Sequence, residues 1–281
     1  METRTFTAMG TDVELIVDAT GAQDALDAAE SELRRLEALL SRFREDSELS
    51  RLNRERAIDA GPDLVRLVRR AVAARELSGG RFDPTVHDAV VAAGYDRTFA
   101  DVPRDGDAAG VPVPGGGRIE VEGTRIVLGD GVRIDLGGIA KGYAAERAAE
   151  LLALAGPCLV NAGGDIATRE GVWLVGVETG RGTVTLRLEG SAVATSGRDR
   201  RTWRRNGALR HHLVDPRTGA PAETDVLRVT VVAPDAVDAE VAATSLFLAG
   251  AARAAAEADA AGLPAVIVAD DGTTTFAGGL A

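Results

Sequence analysis

The chain has a single cysteine, Cys158, in 281 residues. One thiol cannot close an internal disulfide, and no CxxC pair is available for a zinc or redox site. Cys158 lies in the apolar run CLVN and reads as a small buried strand residue. A basic surplus is missing as well. The formal net charge is −11, which excludes a chain built around a basic nucleic-acid face. An anionic substrate must then be held by local devices: a metal, a helix N-terminus or clustered arginines. Long apolar runs are also lacking. No stretch of about 20 apolar residues could span a bilayer. The opening METRTFTAMGTDVELIV has no long apolar run behind a basic one and no lipid-anchor cysteine. The expectation is a soluble, cytoplasmic protein.

What is present suits a globular fold: 45% hydrophobic and 27% charged residues. A chain of this length buries roughly three-quarters of its unfolded surface. It reads as one domain over 1–281, with a lobe boundary expected in the Asp-, Gly- and Pro-rich stretch 100–118. Glycine is frequent, 33 residues. The cluster Gly115 to Gly117 reads as linker. Gly79-Gly80, Gly137-Gly138 and Gly163-Gly164 stand at the ends of regular segments, where a backbone could approach a ligand closely.

Leu26, Ala29, Leu33, Leu36 and Leu40 recur at steps of three and four and predict an amphipathic helix over 22–40. Pro62 opens a second helix with Leu64, Leu67, Val68, Ala71 and Val72 inward, stopped at Gly79-Gly80. Further helices are expected over 140–154 and 236–260, the latter broken near Gly250. Strands are expected at 11–17, 119–121, 126–128, 132–136, 158–161, 172–177, 183–189, 192–195, 211–214, 226–233, 264–270 and 273–277. Gly129-Asp130-Gly131 would turn a hairpin between 126–128 and 132–136. Helices and strands intermix without strict alternation, and the fold class is α+β.

Five segments could carry chemistry. In Asp135-Leu-Gly-Gly-Ile-Ala-Lys-Gly142 a strand end, a glycine turn and a helix start make an anion site plausible, because free N–H groups and the helix dipole favour phosphate. Lys141 stands in the first helical turn, where a cation is unfavourable for the helix alone; a solvated lysine on a tight turn is the alternative. Asn161-Ala-Gly-Gly-Asp-Ile166 is a similar glycine turn, more simply structural. Ser196-Gly197 leads through an arginine-rich loop to His211-His212-Leu-Val-Asp-Pro-Arg-Thr-Gly219. Histidine occurs only three times, and on a strand only one of two neighbours can face a given site. The loop arginines, Arg198 to Arg205, suit solvent as well as an anion. Glu240 and Thr244, four apart near a helix start, share one face. A carboxylate with a hydroxyl suits Mg²⁺, though an ordinary helix start explains them too. Gly79-Gly-Arg-Phe-Asp-Pro-Thr-Val86 could cradle a planar ligand or merely connect.

Together and in this order, the segments resemble the ApbE-like FAD:protein FMN transferases. The resemblance rests on Met9-Gly10-Thr11, SELSRLN at 47–53, GGRFDPTV, DLGGIAKGYA, VNAGGDI, ATSG and HHLVDPRTG. It implies a two-lobed α+β fold with FAD between the lobes, Mg²⁺ on the pyrophosphate, and transfer of FMN to a Ser or Thr of a target protein with release of AMP. By resemblance, Met9, Phe43, Arg81, Phe82, Asp83, Asp135, Lys141 and Leu213 fall on FAD-binding positions. Gly138 (through its carbonyl), Glu240 and Thr244 fall on metal positions, and His212 on the catalytic one. Three residues depart from the pattern. Glu240 replaces the commoner Asp, Ala243 stands where some members have a second acidic ligand, and Phe43 replaces a Tyr. Two rival readings are an FAD hydrolase releasing FMN and AMP, and a flavin-binding protein without turnover.

Overall fold

The structure is a computed structural model that describes residues 1–106 and 110–280. The chain divides into two compact units. One comprises 1–37, 139–196 and 224–281; the other comprises 38–138 and 197–223. The stretch 100–118 therefore lies inside the second unit rather than at a division, and its residues 107–109 fall outside the described ones.

The first unit is built on an eight-stranded sheet. Its order is Glu2–Ala8, Thr11–Val17, Cys158–Ala162, Asp165–Arg169, Ala192–Gly197, Val226–Ala233, Ala265–Ala269, Thr274–Ala277. Two of its connections are two-residue turns with both residues at positive φ: Met9-Gly10 at 56° and 66°, and Gly163-Gly164 at 70° and 102°. Such turns match the right-handed twist of the strands they join. Cys158–Ala162 alternates between two buried faces. Leu159 joins Ile166, Val193 and Val266 in a cluster capped by the hairpin Trp173–Thr179 and Gly182–Leu188. On the other face the Cys158 thiol meets the carbonyl of Ala149 in helix Ala140–Leu152. Burial on both sides explains why this strand reads as a continuous apolar run. It also pushes the Cys158 thiol up to about 11, so the residue is structural.

The second unit holds helices Glu48–Glu55, Pro62–Leu77 and His87–Ala92, a three-stranded sheet and two small hairpins. The strand expected at 132–136 does not form. Arg125–Leu128 pairs instead with Ile119–Glu122 and Ala57–Asp59. Ile134 finds its backbone partners in a side chain: Asn53 Oδ1 accepts its N–H and Asn53 Nδ2 donates to its carbonyl, each at 2.8 Å. The glycines 115–117 are not loose linker either. Gly116 and Gly117 N–H donate to Thr85 Oγ1, and Gly115 N–H donates to the Pro216 carbonyl. One cluster in this unit is aromatic, with Tyr95 between Phe43, Phe99 and Trp203 at centroid distances of 5.6, 6.3 and 5.5 Å.

The helix periodicities hold. Gln23–Leu40 buries all five residues read as its inner face. Pro62–Leu77 does the same except at Val72, which is half-buried. Gly250 divides Ala236–Ala249 from Ala251–Ala261.

Candidate active site

In the first unit, helix Ala140–Leu152 begins just after the glycine turn, and helix Ala236–Ala249 packs against it. Gly142 makes the contact close: a Cβ there would lie 2.5 Å from the Ala236 carbonyl oxygen. This approach brings Glu240 to the start of the neighbouring helix. Glu240 Oε2 accepts the Gly142 N–H at 2.9 Å, and Oε1 pairs with Lys141 Nζ. Lys141 also reaches Asp165 Oδ2 at 2.6 Å. Both carboxylates are buried, with side chains only 4% exposed. Burial pushes the Glu240 carboxyl above its ordinary range and Asp165 adds to the shift, while Lys141 and the Gly142 N–H pull it back.

The sequence placed an anion site at this helix N-terminus, and the structure fills it with an internal carboxylate. Gly137 N–H is likewise engaged, by Asp135 Oδ1 at 2.6 Å. The glycine turn thus has fewer donors for a phosphate than its sequence suggested. The unanticipated member is Asp165. It opens the strand after the Gly163-Gly164 turn, a turn that sequence reading treated as structural. Lys141 carried an unread signal of its own: it is the only lysine in the chain.

Thr244 lies one helical turn beyond Glu240, and its hydroxyl shares a hydrogen bond with Ser196 Oγ at 3.0 Å. A carboxylate and a hydroxyl one helical turn apart are all-oxygen donors of the kind magnesium takes. Glu240 oxygens each retain a lone pair beyond the contacts above. Among the described residues no group of three His, Cys, Asp or Glu could hold a metal by itself. The residues therefore fit an ion that completes its shell with substrate phosphate and water.

In the second unit, Asp135 Oδ2 pairs with Arg42 Nε at 2.7 Å. The Arg42 guanidinium stacks 4.1 Å from the Phe43 ring and 4.7 Å from Tyr95, and it donates to the Tyr95 carbonyl. Arg42, which sequence reading passed over, thereby joins two of the expected FAD positions. Phe82 is buried and its ring edge borders Gly138, where a Cβ would sit 3.3 Å away. Asp83 is spent on its own loop. Oδ1 takes the Thr85 N–H and hydroxyl at 2.8 and 2.7 Å, and Oδ2 meets Arg75. It organises the turn between Pro62–Leu77 and the 3-10 turn Pro84–Val86. Arg81 is half-buried at the start of that turn. Met9, in the first unit, holds a positive φ of 56° and donates its N–H to Glu37 at 2.7 Å.

The histidine pair departs from the expected strand 211–214. The strand is Ala208–His211, ending at a bend on His212. His211 is buried and its Nε2 bonds the Ala222 carbonyl at 3.1 Å. Burial lowers its pKa to about 4, so it stays neutral and structural. His212 is half-buried, which leaves it the more accessible of the two. Leu213 beside it is buried. The segment DPRTG forms a turn: Gly219 N–H donates to the Asp215 carbonyl at 2.8 Å. Asp215 itself is ion-paired with Arg217, which lowers its pKa.

The ApbE family model matches residues 9–267. The chain belongs to the ApbE family. Among curated ApbE relatives, the FAD:protein FMN transferase of Treponema pallidum is 31% identical over 258 residues, covering 80% of this chain and 71% of that protein. The Vibrio cholerae FAD:protein FMN transferase is 29% identical, covering 85% and 78%. The crystal structure of the ApbE protein from Thermotoga maritima superposes with a TM-score of 0.86 at 27% identity, over 98% of this chain and 96% of that one. The flavinyl transferase ApbE of Pseudomonas stutzeri gives 0.81 at 26%, over 98% and 94%. The mixed helix-and-sheet architecture is thus the ApbE fold, and the members with curated names are transferases.

Proposed function

We propose that this chain, acting as one ApbE-like domain, moves FMN from FAD to a Ser or Thr hydroxyl of a target protein and releases AMP. Similarity to FAD:protein FMN transferases over 80% and 85% of the chain supports the class of reaction. The observation that carries it within the chain is the sole lysine set between buried Glu240 and Asp165 at a helix start. Packing of two alanine-rich helices does not call for such a constellation, whereas buried carboxylates beside a helix start suit a divalent cation that in turn binds a polyphosphate.

The target hydroxyl attacks the FMN-side phosphorus. A new P–O bond forms, the bridging P–O bond breaks, and AMP leaves with the bridging oxygen and its electron pair. His212 takes the hydroxyl proton; bases of this kind contribute about 10²–10⁴-fold. Positioning and electrostatics supply the rest, as in phosphoryl transfer generally. Met9, Phe43, Arg81, Phe82, Asp83, Asp135 and Leu213 belong to the FAD site in this reading, Asp83 through the loop it shapes. Magnesium, held by Glu240, Thr244 and the Gly138 carbonyl, would supply charge neutralisation on the phosphate oxygens. No helix among the described residues is long and apolar enough to cross a membrane. A cytoplasmic setting is part of the proposal, and cell fractionation checks it.

Mass spectrometry of a reaction with FAD, magnesium and candidate acceptor proteins tests the function. The expected products are a flavinylated Ser or Thr and AMP. Free FMN with AMP would replace this reading with a hydrolase, and unchanged FAD would replace it with a binding protein.

A further inference from the structure

The hairpin that leads into His212 has features the FAD chemistry does not use. Its strands Thr202–Arg205 and Ala208–His211 are joined by Asn206-Gly207, both at positive φ. In such a two-residue hairpin the pair flanking the turn exchanges hydrogen bonds and the next pair faces outward. Arg204 N–H accordingly points away from its partner strand and donates to the Arg104 carbonyl at 2.8 Å. Its cross-strand partner is Leu209. The Leu209 N–H and carbonyl face the opposite edge, and among the described residues no hydrogen bond reaches them. Leu209 is 51% exposed.

The same strand walls a cleft of about 300 Å³. Ala208, Arg205 and Arg210 line it from the hairpin, and Ala92, Gly219 and Pro221 line it from elsewhere in this unit. Small residues leave room for a second backbone. Arg205 is held by carbonyls, chiefly that of Gly94 at 2.7 Å. Arg210 has no carboxylate partner among the described residues, and its Nε is buried without a hydrogen-bond partner. An orphaned buried guanidinium nitrogen calls for an acceptor. The segment 198–217 holds seven arginines against two aspartates, in a chain of net charge −11.

We propose that the acceptor protein docks here as an extended segment. It adds to the open edge of Ala208–His211 through Leu209, places a carboxylate on Arg210, and delivers its hydroxyl toward His212, the residue after the strand. Strand addition gives affinity through the backbone and specificity through alternate side chains. The proposal deepens the transferase reading and rests on it.

The test uses the full chain and two short fluorescein-labelled peptides, each with a central threonine, one flanked by aspartates and the other by lysines. Anisotropy titration of wild type should show about tenfold or greater preference for the aspartate peptide, as a charge-assisted contact confers. Arg210→Glu should abolish or invert that preference while FAD affinity, followed by flavin fluorescence, is unchanged. Arg210→Gln, a milder change, should lose it too, and Leu209→Pro should weaken both peptides by removing the edge donor. Arg204→Gln, on the exposed outer face, should leave the preference intact. Equal binding of the two peptides by wild type, or a preference that survives both Arg210 variants, overturns the proposal. So does equal loss from Arg204→Gln, which would show diffuse attraction rather than a site. Failure of the transferase reading shows separately, as FAD left unconsumed with any acceptor.

Discussion

Lys141 has two carboxylates to itself, and its removal strands both. Lys141→Met would leave Glu240 and Asp165 buried without their shared cation. Breaking a buried ion pair in this way costs about 3–5 kcal/mol, and urea denaturation measures it. The double variant Lys141→Met with Glu240→Gln should be markedly less destabilised than the sum of the two single changes, because contacting groups do not add. His211 offers a second test at this scale. Its ordinary value of 6.5 falls to about 4 in the fold, chiefly through burial. Between those values the unfolded chain takes up a proton that the folded chain refuses. Stability therefore drops as pH falls from about 6.5 to about 4 and levels off below. At about 1.36 kcal/mol per unit the full effect is roughly 3 kcal/mol. His211→Gln, which keeps an N–H for the Ala222 carbonyl, should remove this component. The check is the difference between wild-type and variant denaturation curves across that window, since carboxylates common to both cancel.

At the scale of elements, the decisive contact is between helices Ala140–Leu152 and Ala236–Ala249. Gly142 sits where an added methyl would meet the Ala236 carbonyl oxygen and carbon, at 2.5 and 2.7 Å. Backbone cannot step aside as a side chain can. Gly142→Ala should force the helices apart, lower stability by about 1–3 kcal/mol and lengthen the Gly142 N–H to Glu240 contact. A melting curve and a crystal structure of the variant check both effects; an unshifted helix pair with wild-type stability would contradict them. Helices Gln23–Leu40 and Pro62–Leu77 were legible because their periodicity is local. The region 132–136 was misread because its alternation looks strand-like, while its backbone partner is the side chain of Asn53. No local pattern announces that substitution.

Across the whole molecule, the positions proposed for function fall in both units. Lys141, Asp165, Glu240, Thr244 and Met9 belong to the first, and Phe43, Phe82, Asp135, His212 and Leu213 to the second. In the proposed reaction the bond broken lies in the pyrophosphate, so a ligand without that group should lose affinity. FAD is therefore expected to bind more tightly than FMN, which lacks the pyrophosphate and the adenosine. Flavin-fluorescence titrations decide this, and equal affinities would remove the pyrophosphate from the centre of the site. His212→Ala should suppress single-turnover transfer by about 10²–10⁴-fold with FAD affinity nearly unchanged, whereas His211→Ala should show first as lost thermal stability. Transfer at the wild-type rate by His212→Ala would require another base, and Asp215 is a poor substitute because Arg217 holds it ionised.

The sequence by itself determined the α+β class, the amphipathic helices and the family, because each of these is written in neighbouring residues or in short motifs kept in order. It also marked Lys141 as locally unfavourable, while Glu240 and His212 were picked out by the family resemblance. Only the tertiary structure decided how those residues are spent. Lys141 and Glu240 lie 99 positions apart, and nothing local says that they pair, that Asp165 joins them, or that Arg42 ties Asp135 to Phe43. The same holds for the two histidines. Their types are identical and their positions adjacent, yet one is locked on the Ala222 carbonyl and the other sits at the bend beyond the strand. Local propensity sets what a segment becomes. Which groups are desolvated together, and therefore which charges must be paired, depends on contacts between segments distant in sequence.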